Sequence, residues 1–446
     1  MDRLTKELTS QALRTARARL SGDAMRAAQT RVLDTIACAF AAYDNELCGR
    51  MRRILASPSI THGARIWGAG SRITVEDAAL VNGTMARYLD LNDTILGRTS
   101  GHPSDTIPAL LALAEEQGAS GEALLRAIVI SYDLYCGLCD GVALAEKGVD
   151  QVIAAALGAA GGSACLLGLD EARTEHALAL AVAANVGLFN VRMGSLSEWK
   201  ACAGPNAARN GVFAARLASE GVTGPSGVFE GTGGLESVVG RIVWPEDGGH
   251  FILKTHIKRH PVCYHGQAAV DAALDLHGRI ANADVAKVRI EVNRMAFEVM
   301  GRESSRWDPQ TRETADHSLP YVVAISLLLG KISAADFTDD ALACPRTRAL
   351  LPKIEVAELP AFTYGDANTS PARITITLAA GGDVSAETIY PIGHSNNPIS
   401  RDDVEKKFST LWPRERSIGQ AKSIVTEVAR LQEAASVIPL IDELCR

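Results

Sequence analysis

Val285-Ala-Lys-Val-Arg-Ile-Glu-Val292 and Arg373-Ile-Thr-Ile-Thr-Leu378 are the stretches on which the reading of the fold turns. In each, apolar residues alternate with charged or hydroxyl residues, the period-two pattern of a strand that buries one face. The second runs into the turn Ala380-Gly-Gly-Asp383 and a further extended stretch, while the pattern between the two predicts a helix over Thr314–Lys331. Residues from about 262 to 392 therefore read as α+β. On both sides the periodicity is helical. Thr74-Val-Glu-Asp77 has the form of a capping box opening the helix that carries Ala78 to Leu91, and Ser120-Gly-Glu-Ala123 opens another. Asp170 to Val186 reads as a third, and residues 154–168 are rich in Ala and Gly, which lets helices approach closely. After the loop Pro391–Pro398, helix resumes at Arg401. The expected architecture is mostly α with an α+β second domain: a large helical domain formed by both chain ends (1–257 and 393–446) and a smaller α+β lid (258–392) inserted into it.

Composition narrows the function. The 446 residues are too many for one ordinary core, and 47% hydrophobic with 22% charged residues is a globular balance. A net charge of -7 argues against nucleic acid, which demands a basic surplus. The N-terminal MDRLTKELTSQALRTARARL is charged and amphipathic rather than a secretory signal, and no apolar run reaches bilayer length, so a cytoplasmic protein without a membrane partner is expected. Cys136 and Cys139 lie on a helical segment with no second ligand pair and read as reduced thiols. No GxGxxG, P-loop, HExxH or GxSxG pattern is present, so neither a cofactor nor a metal is expected.

Polar residues cluster where packing does not ask for them. Ala86-Arg-Tyr-Leu-Asp-Leu-Asn-Asp-Thr94 ends a helix, and Gly101-His-Pro-Ser-Asp-Thr106 opens the next, with Ser104 or Asp105 as its cap and Asp93 read as an ordinary terminating residue. Asp90 and His102 form a candidate acid/base pair, with His102 expected to titrate near neutrality. Ser197-Glu-Trp-Lys-Ala-Cys202 carries Lys200 into a small-residue run that should desolvate its amine. Thr255-His-Ile-Lys-Arg-His-Pro-Val-Cys-Tyr-His265 lacks metal-ligand spacing, and Lys258 and Arg259 would repel a cation, so it reads as an anion-binding patch with Lys258 holding a substrate carboxylate.

Together with Thr314-Ala-Asp-His-Ser-Leu-Pro-Tyr-Val-Val323, these blocks resemble, in order, those of the MmgE/PrpD family: NGTMARYLDLNDT, GHPSDTIPALLALAE, EWKACAGPNAARNG, KRHPVCYHGQAAVDAAL and TADHSLPYVVAISLLLGKI. That family includes 2-methylcitrate dehydratases, cis-aconitate decarboxylases and iminodisuccinate epimerases. The resemblance implies a homodimer acting on a small polycarboxylate, with Asp90, Thr94, His102, Lys200, Lys258 and Tyr321 as site residues. It implies a metal-independent dehydratase of a 2-methylcitrate- or citrate-like acid, with decarboxylation, epimerisation or a non-catalytic carboxylate-binding role as alternatives. One position departs: where decarboxylase members place a histidine, this chain has Gly148-Val-Asp-Gln151.

Overall fold

The computed structural model describes residues 1–55, 60–245, 249–280 and 284–446. Helix α1 (Gly22–Ala41) is opened by Ser21, whose side chain accepts from the Ala24 N–H, and α2 (Val75–Tyr88) by Thr74, which accepts from Asp77. Helix α3 (Ile107–Gln117) is stopped by Gly118 in the left-handed conformation, and α4 (Gly121–Gly141) is capped by Ser120. Helices α5 (Val152–Leu166) and α6 (Trp199–Ser219) come close because of their glycines: a Cβ on Gly211 would stand 2.3 Å from the carbonyl oxygen of Ala156.

The lid is built on a four-stranded mixed sheet. Strand β1 (Val285–Val292) pairs parallel with β2 (Ile354–Glu358) and antiparallel with β3 (Ala372–Leu378), which pairs with β4 (Asp383–Thr388), giving the order β2-β1-β3-β4. Ile290 stands opposite Ile374 and Val356, so the buried faces coincide. That face packs on Ala269, Ala273 and Leu276 of α7 (Gln267–Ile280) and on Leu319, Val323 and Leu327 of α8 (Leu319–Leu329). The helix expected over Thr314–Lys331 is broken. A short turn ends at Ala315, Ser318 caps a new helix and Pro320 occupies its first turn, leaving Asp316 and His317 in the gap.

Three C-terminal helices, α9 (Arg401–Leu411), α10 (Ile418–Arg430) and α11 (Ile438–Leu444), return to the first domain. Val404, Phe408, Ile424, Val428 and Ile441 share one core with Val32, Ile36 and Phe40 of α1. Gln29 donates to the Ala429 carbonyl at 3.1 Å, and the Gly121 N–H to the Ala434 carbonyl at 2.9 Å. No helix among the described residues is long and apolar enough to cross a membrane.

Candidate active site

Helix α2 ends at Tyr88, and two residues later Asp90 adopts φ 50°, the one left-handed non-glycine residue among those described. Aspartate tolerates this region better than most side chains. The turn sends the next residues alongside 256–258. Thr94 and His256 exchange backbone hydrogen bonds of 2.8 and 2.7 Å, which brings Lys258 across to Asp90. Ile95 and Gly101 then close a short hairpin with bonds of 2.9 and 3.1 Å, while the Thr94 hydroxyl donates to the Gly101 carbonyl at 2.7 Å. The hairpin delivers His102, whose Nδ1 lies 2.8 Å from the Asp93 carbonyl oxygen. A carbonyl only accepts, so Nδ1 carries the proton and Nε2 keeps its lone pair.

Behind His102 lies a buried ionic network centred on Asp90. Arg87 Nη1 donates to Asp90 Oδ1 at 2.8 Å, and Lys258 donates to the same oxygen and, at 2.9 Å, to the Asp90 carbonyl. Lys200 Nζ lies 3.2 Å from Asp90 Oδ2, 2.8 Å from Asp316 Oδ1 and 3.2 Å from His317 Nδ1. His317 Nδ1 is 2.5 Å from Asp316 Oδ1, and its Nε2 is 3.6 Å from Asp90 Oδ2. Burial by itself would raise the Asp90 pKa, but Arg87, Lys258, Lys200 and His317 outweigh it and hold the carboxyl well below the usual range. Burial and Lys200 press on His317 in the opposite sense to Cys263 and Asp316, and the latter prevail, so its pKa stands above the ordinary histidine value. The ligand atoms of Asp90, Asp316 and His317 lie within 4.8 Å of one another, as a metal trio would. The Lys200 ammonium stands 2.8 to 3.2 Å from atoms of all three, so a cation of the chain sits between the two carboxylates.

The network underlies a cleft of about 100 Å³ between the helical body and the lid. Thr94, His102, Arg87, Arg98, Gln151 and Arg192 line it from the body, and Cys263, His265 and His317 from the lid. Of the six residues singled out in the sequence, Thr94 and His102 face the cleft, and Asp90, Lys200 and Lys258 form the ionic layer beneath it. Tyr321 is not brought there: its hydroxyl donates to the Asp336 carbonyl at 2.6 Å and its ring packs with Val262, Ile325 and Phe337.

Several expectations are corrected. Asp90 and His102 are not hydrogen-bonded to each other, because arginine and lysines occupy the first and the Asp93 carbonyl the second. Lys258 is 0% exposed and spent on Asp90, so it supports the site from within rather than holding a substrate carboxylate. The expected anion patch at 256–265 disperses: His256 stacks on His394 with ring centroids 4.2 Å apart, and His260 Nε2 lies 2.7 Å from Asp271. Asp93, not Ser104 or Asp105, caps the turn after His102, accepting from the Ser104 N–H at 3.0 Å. Asp316 and His317 were missed as site residues, although Ser318 and Pro320, a helix start inside an assumed helix, signalled the break that exposes them.

The expectation that His102 titrates near neutrality is also overturned. Burial, Arg87 and Lys258 pull its pKa well below the ordinary value against the weaker pull of Asp90. A base must be unprotonated, so His102 is competent at every pH above its depressed value, while His317 is a cation only below its raised one. We expect a kcat/KM profile flat through pH 6.5, with an acid limb well below it and an alkaline limb above it. His317→Gln should abolish the alkaline limb and lower the plateau. A wild-type acid limb centred at 6 to 7 would contradict the arrangement.

Fold and site together define a two-domain protein with a polycationic cleft at the junction of helical body and lid. The chain matches the MmgE/PrpD N-terminal domain over residues 6–242 and the MmgE/PrpD C-terminal domain over residues 260–433, and it belongs to the MmgE/PrpD family. It is 29% identical to a 2-methylcitrate dehydratase of Cupriavidus necator, aligning 84% of this chain with 82% of that protein. Against the 2-methylcitrate dehydratase of Escherichia coli K12 it is 28% identical, with 90% and 89% aligned. Against the human cis-aconitate decarboxylase it is 26% identical, with 90% and 86% aligned.

Proposed function

We propose that this protein is a hydro-lyase that removes water from a 2-methylcitrate- or citrate-like acid. The observation that carries the reading is the pairing, in one cleft, of a neutral His102 whose tautomer is fixed by Asp93 with a His317 kept cationic by Asp316. Elimination needs both. Nε2 of His102 takes the proton from the carbon beside a carboxylate, the carbon–carbon double bond forms as the carbon–oxygen bond breaks, and the departing hydroxyl leaves as water with a proton from His317. Charge accumulating on the substrate carboxylate during proton removal is stabilised by the underlying surplus of Arg87, Lys200, Lys258 and His317 over Asp90 and Asp316.

The dehydratase names of the relatives in Cupriavidus and Escherichia support this reaction. Gln151 lines the cleft within the stretch 148–151 where the resemblance placed a decarboxylase histidine, and its amide, unlike an imidazolium, is not an acid for the carbanion left by loss of carbon dioxide; another acid would have to serve. The test is incubation of the purified protein with 2-methylcitrate, citrate, cis-aconitate and iminodisuccinate, followed by product analysis with and without EDTA. A new conjugated-alkene absorbance, unaffected by chelator, is expected with one of the hydroxy acids. Carbon dioxide release or epimerisation would replace the reading with another reaction, and a folded protein that consumes none of the four would sink it.

A further inference from the structure

Every other arginine or lysine placed at the cleft already touches an acid of the chain, although the cations outnumber the acids. Arg87 is held by Asp90, Lys258 by Asp90, and Lys200 by Asp316 and Asp90. Arg192 Nε lies 2.8 Å from Asp150 Oδ2, and its Nη1 donates to the Lys200 carbonyl at 3.1 Å. Arg98 differs: its side chain is exposed, it lines the same cleft, and among the described residues no carboxylate lies within ion-pair distance of it. Its backbone is nevertheless fixed. The hairpin that carries it is closed by the Ile95–Gly101 pair, and the Thr99 N–H donates to the Cys139 carbonyl at 2.8 Å. The Thr99 hydroxyl donates to the Val142 carbonyl at 2.7 Å and accepts from the Leu144 N–H at 2.9 Å. A rigid loop thus presents a guanidinium with its donors free beside a network whose surplus charge lies deeper in the site, an arrangement suited to bidentate capture of a remote carboxylate.

We propose that Arg98 is the specificity-determining residue that selects acids bearing a third carboxylate over dicarboxylates. The inference rests on the polycarboxylate reading above and adds which residue counts the carboxylates. A contact remote from the reacting carbons binds ground and transition states alike, so Arg98 acts on affinity. Among the described residues no acid pairs with it, so its loss should leave the melting temperature unchanged.

The experiment is calorimetric titration of the full chain with propane-1,2,3-tricarboxylate and with glutarate, neither of which carries a hydroxyl to eliminate. For Arg98→Gln the tricarboxylate Kd should rise about 10- to 30-fold with glutarate within about twofold of wild type, and Arg98→Lys should recover part of the difference. If Arg98→Gln weakens both acids equally, or neither, Arg98 does not discriminate and the proposal is overturned while wild-type binding leaves the polycarboxylate reading standing. If the wild type binds neither acid, the polycarboxylate reading falls and this inference with it.

Discussion

Asp90→Asn is expected to be the most damaging single change in the protein, lowering stability by about 3 to 5 kcal/mol and turnover by roughly 10²- to 10³-fold. The side chain keeps its size, and asparagine accepts the left-handed φ of 50° as readily as aspartate, so the backbone is not the cause. The cause is electrostatic. One carboxylate serves Arg87, Lys258 and Lys200, all of them 2% exposed or less, and an amide leaves three cations in a low dielectric with no anion between them. Geometry makes it worse. If the amide oxygen keeps the bonds from Arg87 and Lys258, its NH₂ takes the place of Oδ2 and points donors at Lys200, 3.2 Å away, and at His317 Nε2, 3.6 Å away. Chemical denaturation combined with the turnover assay checks both numbers. An Asp90→Asn protein as stable as wild type would mean that the network is held together by something other than this charge.

Lys200→Met is expected to cost nearly as much stability at neutral pH, and to lose less as the solution is acidified. In the wild type the folded pKa of Asp316 is depressed: burial raises it, but Lys200, His317 and Arg312 lower it further. A depressed carboxylate contributes stability that is present above its unfolded value, near 4, and is lost as pH falls through the folded value. Without the ammonium, Asp90 and Asp316 face each other with less compensation, and the folded variant takes up protons closer to neutrality. The stability gap between variant and wild type should therefore be widest near pH 7, at about 3 to 5 kcal/mol, and narrow towards pH 5. A gap independent of pH over that range would show that methionine disturbs packing rather than charge. Lys200→Arg is not a remedy, because a planar fork cannot replace a point charge touching Asp90, Asp316 and His317.

The architecture was legible where the pattern is local. The alternation of Val285–Val292 coincides with β1, and Arg373–Leu378 misses only the first residue of β3. Helix starts at Thr74 and Ser120 were readable because a capping oxygen and its N–H partner lie three residues apart. Strand β2, Ile354–Glu358, went unnoticed because five residues between two prolines carry little periodicity. The site was legible as composition and not as contact. Asp90, Lys200 and Lys258 stood out as polar residues in apolar surroundings, but nothing in their spacing says that Lys258 meets Asp90 across 168 positions. Arg98 gave no signal at all in a loop of ordinary composition, because its distinction is that no acid among the described residues pairs with it.

The shared core of the two chain ends also sets an order of assembly. During synthesis the lid can close as soon as residue 388 has emerged, since all four of its strands lie between residues 285 and 388. Helix α1 must wait for part of its cover, because Val404, Phe408, Ile424 and Val428, which pack in its core, follow the lid in the chain. Until then the part of α1 that they cover is open to any other hydrophobic surface, and a ribosome stalled after the lid would carry a finished sheet domain beside an unfinished helical one. The cleft draws His102 from the helical part and His317 from the lid, so it takes shape only once both have closed.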